Sequence, residues 1–204
     1  MSKRKKHSLL WLLIVLLIAN VIIYAPHYLR YSSDYRQVDA IVLFLGPDFS
    51  ARQKKAHDIL KEGKAKYLIV PAYNKVYRLS DKGNIKSLSP NLSLSDSIKK
   101  RALLNPPSPC YYEDTHIEVM EAKKTMADLG LKSAIFVSSP YHMRRVKLIV
   151  TKVFTGEQSG FYFVPTIYEK APGSFWELST SDWRKVGREY IKIIWFSIYI
   201  LWAK

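Results

Sequence analysis

The chain has little cysteine, little glycine and little negative charge. Cys110 is the only cysteine among 204 residues, so no internal disulfide can form. An oxidising compartment is compatible with that count but is not demanded by it. There is no Cys-x-x-Cys pair, and the five histidines are dispersed, so no metal-ligand cluster is indicated and no metal is assigned. Only eight glycines are present and none forms G-x-G-x-x-G, which argues against a Rossmann dinucleotide loop. No G-x-S-x-G surrounds Ser138 or Ser139, so a serine hydrolase is poorly supported. Acidic residues number 17 against 32 basic ones, for a net charge of +15. Such an excess suits a basic surface beside anionic headgroups or a site for anionic substrates. Nucleic acid is not expected as a partner, because no binding motif for it is visible.

Charge is also missing from one long segment. After Lys3-Arg4-Lys5-Lys6, no Lys, Arg, Asp or Glu occurs between His7 and Leu29. A bilayer takes about 20 apolar residues as a helix, so residues 9–29 are read as a transmembrane anchor and residues 1–8 as a basic cytoplasmic tail. A cleaved signal peptide is the competing reading. Ala25-Pro26-His27 is a poor cleavage site and there is no lipobox cysteine, so a retained anchor is expected. The membrane bilayer is then a partner. The localisation expected is the plasma (inner) membrane, single-pass, with the remaining residues outside.

Beyond the anchor, strand-like and helix-like segments alternate. Asp39–Leu45 reads as a buried strand, and Ser50 with Gln53 as a capping box opening a helix that Gly63 stops. Tyr67–Val70 is a second strand. Residues 71–109 are polar and turn-rich and are read as an insertion with a short helix near Ser95–Leu104, long enough to be a lid or binding loop. Cys110–Tyr112 is a third short strand, followed by a helix capped by Asp114 or Thr115 and stopped at Gly130. Ala134–Val137 is a fourth strand, followed by a helix from about His142 to Phe154, and Phe161–Val164 is a fifth. This order predicts an α/β domain over residues 37–180, a Rossmann-like open parallel sheet with helices on both faces. Residues 181–204 form a C-terminal apolar helix, expected to dock on the domain, with the membrane interface as the alternative.

Three clusters of chemistry-bearing residues follow strand ends. The first is Gly46, Asp48 and Arg52; the second is Glu113, Thr115 and Glu118, with Glu121 continuing that helix face; the third is Ser138, Ser139, Tyr141, His142, Arg144 and Arg145. Imidazole moves protons near neutral pH, and guanidinium pairs with phosphate or carboxylate. Ligands of open α/β sheets bind at the carboxyl ends of strands, so one shared pocket is expected. Each cluster also has a plainer reading: Asp48 as a solvated turn residue, Thr115 and Glu118 as helix-start residues, His142 as a structural histidine.

These residues resemble the YdcF/SanA/ElyC-like family. The similarity lies in Leu45-Gly46 with Arg52 and Ala56, in Glu113-Asp-Thr115-His-Ile-Glu118, and above all in Val137-Ser-Ser-Pro-Tyr141-His142-Met143-Arg144-Arg145. Trp183 and Glu189-Tyr190-Ile-Lys192 resemble the tail of one branch. The chain departs from the family pattern at Pro47 and at Pro71-Ala72-Tyr73, where glycines are usual. The resemblance implies a Rossmann-like fold, an inner-membrane anchor and a role in envelope integrity through peptidoglycan or lipid-carrier metabolism. It implies no particular cofactor, although one soluble member binds S-adenosylmethionine. The leading expectation is a phosphorylated envelope lipid or glycan, with phosphate held by Arg52, Arg144 and Arg145. His142 is the acid–base group, oriented by Glu113 or Glu118, and Asp48 positions water or a metal. A non-enzymatic binding module and a cytoplasm-facing nucleotide or S-adenosylmethionine binder are the alternatives.

Overall fold

The computed structural model describes residues 3–79, 85–87, 112–156 and 160–202. Helix α1 covers Lys3–Leu29, and its segment Leu9–Leu29 is long and apolar enough to cross a membrane. Most of its large apolar side chains are exposed. Only its carboxyl end enters the protein: Leu29 is fully buried and packs with Tyr141 and Val186.

The domain is a six-stranded sheet in the order β4-β3-β2-β1-β5-β6. Strands β1 (Ala40–Leu43), β2 (Tyr67–Val70), β5 (Ala134–Ser138) and β6 (Phe161–Pro165) are parallel. Strands β3 (Lys75–Leu79) and β4 (Ile85–Ser87) are antiparallel additions at one edge. The sheet is therefore mixed rather than wholly parallel. The cause lies at the start of the expected insertion. Pro71–Tyr73 forms one tight turn, and Asn74 takes a left-handed conformation with φ 49°. Asn tolerates that region better than most residues, and it sends the chain straight back along β2.

Helices α2 (Phe49–Lys61), α3 (Asp114–Asp128), α4 (Met143–Val153) and α5 (Thr180–Trp202) complete the described fold. Side chains alternate across the central strands because successive Cβ atoms point to opposite faces. Ala40, Val42, Phe44 and Phe136 join a core with Val119 of α3, Val146 of α4 and Phe196 of α5. Ile41, Leu43, Ile135 and Val137 face the other way and meet Ala56, Ile59 and Leu60 of α2. Each of the buried Val, Leu, Ile and Phe side chains among them contributes about 1.5–3 kcal/mol of transfer free energy. Helix α5 docks on the domain through Val186, Phe196 and Tyr199.

Several boundaries differ from the sequence reading. Tyr112 lies in no strand, and the rest of the expected third strand falls outside the described residues, as does the short helix near Ser95–Leu104. Helix α2 starts at Phe49 with Asp48 at its cap position, so Ser50 sits inside the first turn and makes no capping bond. Glu113, not Asp114 or Thr115, occupies the cap position of α3. Both helix stops are glycines with positive φ, Gly63 at 68° and Gly130 at 65°.

Candidate functional site

Neighbour order in the sheet reverses between β1 and β5, since the chain runs outward from β1 through β2 on one side and from β5 through β6 on the other. Loops leaving such a pair diverge and open a crevice. A pocket of about 320 Å³ lies there. Its floor comes from the segments after β1 and β5 and from the start of α3, and α5 supplies the opposite wall. Gly46, Asp48, Arg52, Thr115, Glu118, Ser139, Tyr141, His142 and Arg145 all line it.

Glu113, Ser138 and Arg144 do not. Glu113 stands behind the pocket and pairs with the Arg145 guanidinium. Ser138 is fully buried in β5, and its hydroxyl has no partner among the described residues. Arg144 points away, because adjacent residues in a helical turn face different sides. It donates to the Tyr28 carbonyl at 2.9 Å and lies over the Tyr28 and Tyr31 rings, which ties α4 to the end of α1. Its expected role on phosphate is thereby replaced by a structural one.

Arg52 is also occupied by the protein. Nε and Nη2 donate to Ser139 Oγ at 3.0 and 2.8 Å, and Nη1 donates to the carbonyls of Phe44 and Leu45. It thus joins the carboxyl ends of β1 and β5. Gly46 has a physical reason here: a Cβ at that position would collide with the Arg52 guanidinium. Ser139 donates onward to Glu169, and Glu118 accepts from the Leu45 amide at 3.3 Å. Tyr141 donates its hydroxyl proton to the Pro172 carbonyl at 2.6 Å.

The centre of the site is Arg145, 1 % exposed. Its Nε donates to Glu189 Oε2 at 2.8 Å, Nη1 to Glu113 and to Thr115 Oγ1 at 3.0 Å, and Nη2 to His142 Nδ1 at 2.8 Å. Guanidinium only donates, so Nδ1 accepts and the neutral ring carries its proton on Nε2. Nε2 lies 3.4 Å from Thr115 Oγ1. Glu189 Oε2 lies 3.2 Å from the same Nδ1 and becomes its partner when the ring is protonated. Burial, reinforced by the Arg145 charge, pushes His142 down to about 4, so the ring is neutral at pH 7. Burial opposes ionisation of Glu189, but His142 when its ring is protonated, together with Arg145, outweighs it and holds the carboxyl below its usual range. Glu113 goes the other way: burial raises it, only partly offset by Arg145 and Lys192.

The wall contributed by α5 was not singled out in the sequence as part of the site. Lys185, Arg188, Glu189 and Lys192 face the pocket at helical spacing. That i, i+3, i+4, i+7 pattern was readable from the chain, but nothing local says what the face meets. Lys185 reaches Glu169 at 3.4 Å and Asp48 at 3.8 Å. Arg188 and Lys192 stand exposed at the rim. Five acidic side chains (Asp48, Asp114, Glu118, Glu169, Glu189) and five basic ones (Arg52, Arg145, Lys185, Arg188, Lys192) line the pocket, so its charges balance, with the acids mostly in the floor and Arg188 and Lys192 beside exposed Asp114 at the rim. No group of three or more His, Cys, Asp or Glu suited to a metal ion occurs among the described residues.

Fold and site together define an α/β protein with a mixed, mostly parallel sheet, a switch-point pocket and an N-terminal helix able to cross a membrane. Comparison with protein-family models, with curated proteins and with solved structures finds no match.

Proposed function

We propose that this is a YdcF-like, membrane-anchored extracytoplasmic protein of cell-envelope biogenesis that binds a phosphorylated, lipid-linked substrate in the switch-point pocket. One observation carries the reading: the pocket with its basic rim of Arg188 and Lys192 is built against the carboxyl end of α1. Leu29 of α1 packs on Tyr141 and Val186, and Tyr141 itself lines the pocket. A substrate whose tail stays in the bilayer and whose phosphate rises just above it fits that placement.

Arg188, Lys192 and Lys185 take the phosphate, in place of Arg52 and Arg144, whose donors serve the protein. Charge-assisted hydrogen bonds of this kind contribute about 1.5–3 kcal/mol each. His142, neutral and protonated on Nε2, donates to a substrate oxygen on which negative charge develops. A neutral imidazole is suited to that task when Nδ1 is held by a donor, as Arg145 holds it here. The reaction class consistent with this arrangement is hydrolysis or transfer at a phosphate ester or anhydride. Envelope binding without chemistry is the second reading, favoured by the engagement of Arg52 and Arg145 with protein groups rather than open space.

Titration of the detergent-solubilised chain with farnesyl phosphate and with farnesol tests the proposal. The phosphate is expected to bind and the alcohol not. Joint Arg188→Ala and Lys192→Ala substitution should weaken binding about tenfold or more. Equal binding of both compounds overturns it. Phosphate release that is lost in His142→Asn while binding persists selects the enzyme; binding with no release in either protein selects the binding module.

A further inference from the structure

Helix α5 has two faces. Val186, Phe196 and Tyr199 are buried in the domain. On the opposite side Ile191, Ile194, Trp195, Ile198, Leu201 and Trp202 are exposed, Trp202 by 84 %. Their spacing of three and four residues makes one continuous stripe along the last three turns. A monomer in water gains nothing from such a stripe, and exposed apolar patches of this kind mark an interaction surface.

The neighbours of the stripe say what covers it. Tyr190 of α5 donates to the Ala25 carbonyl of α1 at 3.0 Å and stacks on Tyr28, so α5 is fastened to the end of the membrane-length helix. Toward its amino end the outer face carries exposed Arg184. Elsewhere on the end of α1 packs the short turn Phe175–Glu177, which holds Trp176 71 % exposed. Tryptophan favours the headgroup level of a bilayer, and arginine favours its anionic phosphates.

We propose that the outer face of α5, with Trp176, lies in the interface of the leaflet from which α1 emerges. The domain is then held to the membrane at two places rather than swinging on a tether. The covering partner is lipid, not a second copy of the chain. This surface is independent of what the pocket binds.

The test uses the full chain in vesicles of phosphatidylcholine and phosphatidylglycerol, with Cys110→Ser as background. An environment-sensitive fluorophore is placed at Ile198→Cys, at Ile194→Cys, at Ile18→Cys within α1, and at Lys61→Cys on the far face. With acyl chains brominated near the headgroup, labels at positions 194 and 198 should be quenched, as expected for an apolar face seated at the headgroup–acyl boundary, and with bromine near the chain ends the label at 18 should be quenched instead. The label at 61 should be quenched by neither. Quenching at 18 without quenching at 194 and 198 overturns the proposal and leaves the anchor standing. Labels at 194 and 198 that are shielded from water but transfer energy between copies also overturn it, in favour of a dimer. Quenching at none of the positions overturns both anchor and proposal.

Discussion

Arg145 meets Glu113, Thr115, His142 and Glu189 with one rigid fork. Arg145→Gln removes the guanidinium that pairs with both Glu113 and Glu189 and is expected to destabilise the domain by about 3–5 kcal/mol, since it strands buried charge. Arg145→Lys should recover little, because one ammonium cannot reach all four partners. Urea unfolding monitored by tryptophan fluorescence measures both. Histidine gives a second prediction. Burial pushes His116 as well as His142 down to about 4. His116 Nδ1 lies 3.2 Å from the Tyr199 hydroxyl, which donates to or accepts from the ring according to its tautomer. The unfolded chain binds these protons from about pH 6.5 and the folded chain only near pH 4. Stability is therefore complete above about pH 6.5 and declines as pH falls from there to about 4, by up to about 3 kcal/mol per ring. In His116→Phe the slope of stability against pH in that window should shrink; an unchanged slope would show that His116 titrates alike in both states.

At the scale of elements, the Gly46 turn joins sequence to site. Adding a methyl in Gly46→Ala drives the Arg52 guanidinium off the carbonyls of Phe44 and Leu45. A cost of about 1–3 kcal/mol is expected, together with weaker farnesyl phosphate binding, because the ends of β1 and β5 part. The two clusters at the ends of β1 and β5 were legible because short continuous apolar runs mark buried strands and each polar cluster follows one directly. The Thr115 and Glu118 cluster reached the pocket although Tyr112 before it lies in no strand; it was placed there as following an expected third strand, and what puts it at the pocket is the start of α3. Ser138 and Ser139 show the limit of such reading. They are adjacent, so a strand sends one into the core and the other to the pocket, and the register decides which. Arg144 and Arg145 are divided in the same way by helical phase. The antiparallel edge was hidden because its cause is one left-handed Asn74, and the α5 wall because its partners lie far away in the chain.

For the whole molecule, the side of the membrane that holds the pocket decides which substrates can reach it. Lys3, Arg4, Lys5 and Lys6 precede the apolar run, and such clusters stay cytoplasmic. On the orientation proposed above the domain faces outward, where soluble nucleotides are scarce and lipid-linked phosphates are displayed. Lys61 is exposed in the last turn of α2, at the end opposite the pocket-lining Arg52, so a cysteine there reports on compartment without touching the pocket. In Cys110→Ser cells carrying Lys61→Cys, a membrane-impermeant maleimide is expected to label intact cells as fully as permeabilised ones. Labelling only after permeabilisation would place the pocket in the cytoplasm. The basic rim would then face soluble anions, and a nucleotide or S-adenosylmethionine would displace the lipid phosphate as the ligand to seek. Reversing the charge of residues 3–6 should shift labelling from one outcome toward the other, because it removes the asymmetry that sets orientation while leaving the pocket intact.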